Sequence, residues 1–277
     1  MHPKANAKID MIYRSRQYIL GLFLIHLGIS LHAQSPLAAY QLSAGGVKTV
    51  EVSSMPTINN PLSVLYHDSG NTVVGSSEER YFSGISSSFI SYSHAGNHQG
   101  FTVGFHTYGI EEFSLDSWSA AYGRELTDKL QIGATFKYIG LSIKEINREN
   151  QSEFNVDFGV SYQLLESFTL SFLAENLNNS ADLVSSFWNI GAQLTISEQV
   201  SLHAEYQYDS TDQISTFIAG ASYNPIQELR ILLGINSTFQ GPAIGIQYDW
   251  NSVFIAAGIN NHFQLGRSGS LTLGGRF

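Results

Sequence analysis

The chain has no cysteine, which excludes disulfide staples, thiolate chemistry and lipid attachment through an N-terminal cysteine. Charge is scarce as well. Asp, Glu, Lys and Arg together make up 13% of the 277 residues, about half the share of an ordinary soluble domain. Basic residues are the minority: beyond the first 33 positions, 10 of them face 22 acidic residues, a net charge of −12. Nucleic acid or an anionic membrane surface is a poor partner for such a chain. Beyond the N-terminal segment no stretch reaches about 18 continuous apolar residues, so any membrane crossing there must be made by strands. There is no phosphate loop, dinucleotide fingerprint, zinc-type histidine pair or nucleophile elbow.

What is present begins with an export signal. Lys8, Arg14 and Arg16 precede an apolar run from Ile19 to Leu31, and Ala33 supplies a small residue before an expected cleavage at Gln34. The run has the length of a signal core and is shorter than the roughly 20 residues of a spanning helix. Initiation at Met11 leaves a more ordinary signal. Residues 1–33 are therefore read as a signal peptide and 34–277 as one domain.

That domain is written in period two. Leu130, Ile132, Ala134, Phe136 and Tyr138 alternate with Gln131, Gly133, Thr135 and Lys137, and Phe154, Val156, Phe158, Val160 and Tyr162 alternate with Asn155, Asp157, Gly159 and Ser161. Such segments have one apolar and one polar face when extended. The clearest is Val200, Leu202, Ala204, Tyr206 and Tyr208 against Ser201, His203, Glu205 and Gln207. Thirteen segments of this kind are read from Tyr81 onward. A first strand is expected within Ala38–Val50, with His67–Arg80 as a polar connection. The fold class is all-β, a transmembrane antiparallel β-barrel of fourteen strands, with twelve as the alternative. Connections sort into short ones, such as Leu164–Ser167 and Trp250–Asn251, and longer ones, such as Ser142–Glu153 and Leu177–Ser186, which alternate along the chain. A membrane barrel with short periplasmic turns and longer outer loops requires this; a soluble sandwich does not. Tyr138, Tyr162, Tyr206, Tyr208, Tyr223, Tyr248 and Trp250 sit near strand ends, as an interfacial girdle does.

The polar row carries glycine at Gly159, Gly191, Gly220, Gly234, Gly245, Gly258 and Gly274. Glycine weakens a strand, so its recurrence calls for a steric cause. Two causes are open: an inward plug drawn from Gln34–His67, or crowding by neighbouring inward side chains. On the first of these causes, residues 34–80 contribute a lumen plug as well as the first strand. His203 and Glu205 point to the same polar side, where a metal would need further ligands from other strands, and hydrogen bonding in the lumen is the expected role. Lys137 and Asp157 lie on adjacent strands and are expected to pair. Ser201 with His203 does not make a catalytic triad. No catalytic, cofactor-binding or metal residue is assigned, and no cofactor is expected. Outer-membrane lipid or lipopolysaccharide and protein partners are expected; nucleic acid is not.

The ending Leu271-Thr-Leu-Gly-Gly-Arg-Phe277 resembles the carboxyl-terminal signal by which outer-membrane barrels are recognised for insertion, with Gly275 where that pattern usually has an apolar side chain. The runs Ala120–Ile139, Phe154–Val160 and Leu170–Leu177 are similar to the PorV/PorQ family of Bacteroidota outer-membrane proteins, relatives of the long-chain fatty-acid transporter barrels; Leu42–Gly46 and Asn60-Pro61 resemble that family's early elements. The PorP/SprF barrels are a similar alternative. The resemblance implies fourteen strands and a non-enzymatic, protein-binding or scaffold role in a type IX secretion or gliding machinery. The alternative is an outer-membrane channel or transporter for hydrophobic or small solutes.

Overall fold

Alternation becomes wall. In a computed structural model the described residues are 41–277, apart from 43, 45, 51–54, 67–68, 81–83, 145–150, 179–182, 238–240 and 263–265; the expected signal, 1–33, lies outside them. The strands are β1 (Gly70–Arg80), β2 (Ile85–Ala95), β3 (Gln99–Ile110), β4 (Phe113–Thr127), β5 (Leu130–Ile143), β6 (Gln151–Leu165), β7 (Phe168–Glu175), β8 (Phe187–Thr195), β9 (Val200–Asp209), β10 (Ile214–Ile226), β11 (Leu229–Asn236), β12 (Pro242–Trp250), β13 (Val253–His262) and β14 (Gly266–Arg276). Each pairs antiparallel with its neighbours in sequence, and β1 pairs with β14 to close the ring. Closure leaves no strand edge, so the backbone polar groups of every strand have partners within the sheet.

The fourteen strands match the sequence count, but the first is not where the alternation placed it. The described residues between Ala38 and Val50 form no strand, and most of the supposed connection His67–Arg80 is β1. The physical reason is that β1 has two polar rows. Thr72, Ser76, Glu78 and Arg80 are buried inside the ring, while Asn71, Gly75, Ser77 and Glu79 point the other way. No period-two contrast of polarity exists to be read.

Elsewhere the outward row is apolar and exposed, including Phe136, Phe158, Ile190, Phe217, Leu233 and Ile246. Exposed aromatics mark its margins at Trp118, Tyr138, Tyr162, Tyr223, Tyr248 and Trp250. At the end where β1 begins and β14 finishes, here the turn end, connections run from two to four residues. One is Asn251-Ser252, where Asn251 takes φ 53°, a left-handed conformation that asparagine tolerates in a tight hairpin. At the opposite, loop end the connection between β7 and β8 has eleven residues. The β5–β6 and β11–β12 connections there have seven and five residues, but those after β1 and β9 have four, that after β13 three and that after β3 two, Glu111-Glu112, so only part of the loop end is longer than the turn end.

Candidate functional site

The inward row surrounds a segment of the chain itself. Residues 41–66, as far as they are described, are almost all buried and pack against inward side chains around the ring. Ala44, Val47, Val50, Met55 and Ile58 form one apolar cluster with Val74, Phe89, Ile218, Leu232, Phe254 and Ala256 of the wall. Elsewhere around the ring plug atoms lie directly against wall backbone. A Cβ on Gly104 would stand 2.6 Å from Ile58, one on Gly123 2.7 Å from the Pro61 carbonyl, and one on Gly133 2.9 Å from Pro61. At Gly191 it would collide with Thr49.

Where an added Cβ meets a neighbour, the inward glycines divide between the two causes. Gly100, Gly104, Gly123, Gly133, Gly159 and Gly191 make room for the plug, whereas Gly220 accommodates His203 and Gly274 accommodates Phe254, wall residues on neighbouring strands.

Polar contacts fix the plug on the β7–β9 side. Glu205 Oε2 accepts three hydrogen bonds, from the backbone N–H of Lys48 (2.9 Å) and Thr49 (2.8 Å) and from Thr49 Oγ1 (2.7 Å). Lys48 Nζ donates to both carboxylate oxygens of Glu175, at 2.9 and 3.2 Å, and Asn189 Nδ2 donates to the same carboxylate at 2.9 Å. The ammonium also stands 5.1 Å from the centre of the Phe187 ring. Glu205 and Glu175 are fully buried, so each charge depends on these donors for the solvation that water would otherwise give.

The residues singled out by sequence fall as follows. His203 Nε2 lies 3.3 Å from the carbonyl of Ala44 and Glu205 grips residues 48 and 49, so both are lumen hydrogen-bonding groups that hold the plug. Lys137 and Asp157 form an ion pair at 2.5 Å, diagonal across the β5–β6 register. Ser201 Oγ bonds Ser222 Oγ at 2.7 Å, not His203. Among the described residues no three His, Cys, Asp or Glu side chains cluster as metal ligands. Lys48, Thr49, Glu175 and Asn189 were not found from sequence. The partners of Lys48 and Thr49 lie 127 or more residues away, and the Asn189–Glu175 bond joins two adjacent strands through residues that differ in no way from other inward polar ones, so neither leaves a pattern to read.

A second feature lies at the loop end of the lumen. Tyr108, Leu115 and Ile139, all inward, form an apolar cluster with Val184 of the β7–β8 connection, and Ile85 and Phe113 pack on it. That connection is tied down by Asn176, whose backbone N–H donates to Asp157 Oδ1 (2.9 Å) and whose side chain donates to the Ser185 carbonyl (2.7 Å). The sequence signal was the loss of contrast at Tyr138-Ile139, where both rows turn apolar. At the turn end the lining is polar instead: a recess of about 140 Å³ is bordered by residues including Gln193, Thr195, Ser201, Ser222, Asn224 and Arg230.

The chain matches no protein-family model and no curated protein. Solved structures similar to it include the toluene transporter TodX of Pseudomonas putida, with a TM-score of 0.63 and 11% identity over 88% of this chain and 99% of that one. The CymD monoaromatic hydrocarbon channel gives 0.61 and 10% over 87% and 97%. A FadL homologue of Pseudomonas aeruginosa gives 0.58 and 9% over 89% and 99%. At such identities the likeness is one of fold. It agrees with the apolar outer row, the closed ring and the longest connections at one end, and the protein is a fourteen-stranded antiparallel β-barrel of the outer membrane.

Proposed function

We propose that the barrel is a gated channel carrying small apolar solutes across the outer membrane. The observation that carries this reading is the inward apolar cluster of Tyr108, Leu115, Ile139 and Val184 at the loop end, the outer end in a barrel whose short turns face the periplasm. A pore for polar solutes gains nothing from greasy side chains at its entrance. In the resting barrel these side chains are buried against one another, and an apolar solute that displaces Val184 gains about 25 cal/mol for each Å² it buries there. The plug bars onward passage at rest, and displacing it joins this mouth to the polar recess near Arg230, where solute passes into water. The alternating lining thus concentrates at one end and releases at the other. The similarity to barrels described as hydrocarbon channels supports the same reading.

The test is uptake by outer-membrane-competent cells with and without the protein. Initial uptake of labelled toluene at low concentration should rise several-fold on expression, with no rise for a sugar of similar size. Equal toluene uptake in both cells would overturn the proposal.

A second reading is a protein-binding scaffold of a type IX secretion or gliding machinery, as in the PorV/PorQ-like resemblance. It is favoured by the plug, since a lumen filled by its own chain suits a barrel that works through its surface. Co-purification from native membranes tests it: stable stoichiometric partners support it, and a solitary barrel that passes apolar solutes rejects it.

A further inference from the structure

The lipid-facing belt has a gap, and it is independent of what the lumen carries. From β5 to β13 each strand presents at least four outward apolar side chains in succession, such as Leu130, Ile132, Ala134, Phe136 and Tyr138 on β5. On β1 the outward row is Asn71, Val73, Gly75, Ser77 and Glu79, with a single apolar side chain. On either side the gap is partial: β2 offers Ser86 and Ser88 outward before the apolar Ile90 and Tyr92, and β14 offers Arg267, Gly269 and Gly275 around the apolar Leu271 and Leu273. Ser77 and Ser88 are directly opposed and share a hydrogen bond of 3.0 Å. At a rise of about 3.3 Å per residue and a tilt of roughly 40°, Ser77 stands about 18 Å along the axis from Gly70, inside a belt roughly 25 Å tall.

The small residues of this patch are not required by the barrel. A Cβ on Gly75 would meet nothing nearer than 3.9 Å, on Gly269 nothing nearer than 4.0 Å and on Gly275 nothing nearer than 3.6 Å. The inward glycines are pressed by the plug or by wall side chains; these three are pressed by nothing in their own chain. Small residues on a membrane-facing surface allow a second wall to approach closely where lipid packing would favour bulk. Charge identifies that wall. Glu79 pairs with Gly269, so the exposed Arg267 is its diagonal neighbour across the β1–β14 seam, at a similar height. A two-fold axis along the membrane normal, placed between these strands, sets Glu79 of one copy opposite Arg267 of the other, and the reverse. The patch is self-complementary.

We infer that the β14–β1–β2 face is the contact between two copies of this chain in the membrane. The chain's lack of cysteine makes the test direct. Ser77→Cys, next to the axis and oxidised in native outer membranes, should yield a disulfide-linked homodimer in high yield, and Ser88→Cys, one strand further from the axis, and Ile190→Cys on the opposite wall should not. Gly75→Val with Gly269→Val has room to fold, so it should keep the heat-modifiable gel migration of a closed barrel while losing at least tenfold in dimer fraction. Glu79→Arg and Arg267→Glu should each weaken the dimer and together restore it. A linked product of any other mass places a different molecule at this face and overturns the proposal. So does equal linking from Ile190→Cys, or a folded Gly75→Val/Gly269→Val variant that still dimerises as the parent does.

Discussion

Glu205 offers the sharpest test of the plug. Its Oε2 holds two backbone N–H groups and one hydroxyl of residues 48 and 49 at 2.7–2.9 Å, in a fully buried position. Hydrogen bonds to a charged acceptor are worth about 1.5–3 kcal/mol each, and they are not additive when they share one oxygen. Glu205→Ala removes the acceptor and leaves the donors in a dry site. A net loss of about 3–5 kcal/mol from the seated state follows. At 1.4 kcal/mol per decade this raises the population with residues 48 and 49 released by roughly two to three and a half orders of magnitude. Glu205→Gln keeps an acceptor oxygen without the charge and should fall between. The readout is a cysteine introduced at Ile58, buried against Gly104 in the parent, and its rate of reaction with a membrane-impermeant maleimide. Conductance in planar bilayers provides a parallel signal. If Glu205→Ala leaves both the labelling rate and the conductance within twofold of the parent, these bonds do not hold the plug and the gating argument is wrong.

Lys137→Met should destabilise the folded barrel by about 3–5 kcal/mol, because it strands a fully buried Asp157, whereas Lys137→Met with Asp157→Leu should recover most of the loss; urea unfolding in detergent measures both. Gly133→Leu forces a side chain against Pro61 and Leu62 and should cost the seated plug about 1–3 kcal/mol, read as faster labelling at position 58 without loss of the closed-barrel gel form. Ile139→Asn and Leu115→Ser place polar groups in the apolar mouth. Each should cut toluene uptake several-fold at unchanged expression, and unaltered uptake would remove the cluster from the solute path.

How legible each part was follows from which solvent its side chains meet. On β9 and on the β5–β6 pair one row faces lipid and the other a polar lumen, so the contrast in Leu202/His203 or Phe136/Lys137 is large and the strand declares itself. On β1 neither row is apolar, so in sequence the strand reads as a connection. The diagonal pair Lys137–Asp157 could be placed because antiparallel register is local. The Glu205 contact could not, since its donors are mostly backbone groups in a segment without period, 156 to 157 residues earlier. The mouth cluster left only a faint trace, two adjacent apolar residues at 138 and 139, which a strand end also produces for ordinary interfacial reasons.

The plug meets the wall in reverse. Its later residues, Pro61 to Leu65, touch the strands made early, at Gly123, Gly133 and Gly159, while its earlier residues, Lys48 and Thr49, reach the strands made late, at Glu175, Gly191 and Glu205. If hairpins close in sequence order, these anchors form backwards along the segment, from its carboxyl side toward its amino side. The last polar anchor waits for β9, and the apolar packing against Ile218, Leu232 and Phe254 for the strands after it. During biogenesis the nascent sheet therefore has a partly threaded interior long before β14 finds β1, and slow or faulty threading would surface as stalled insertion rather than as a leaky finished channel.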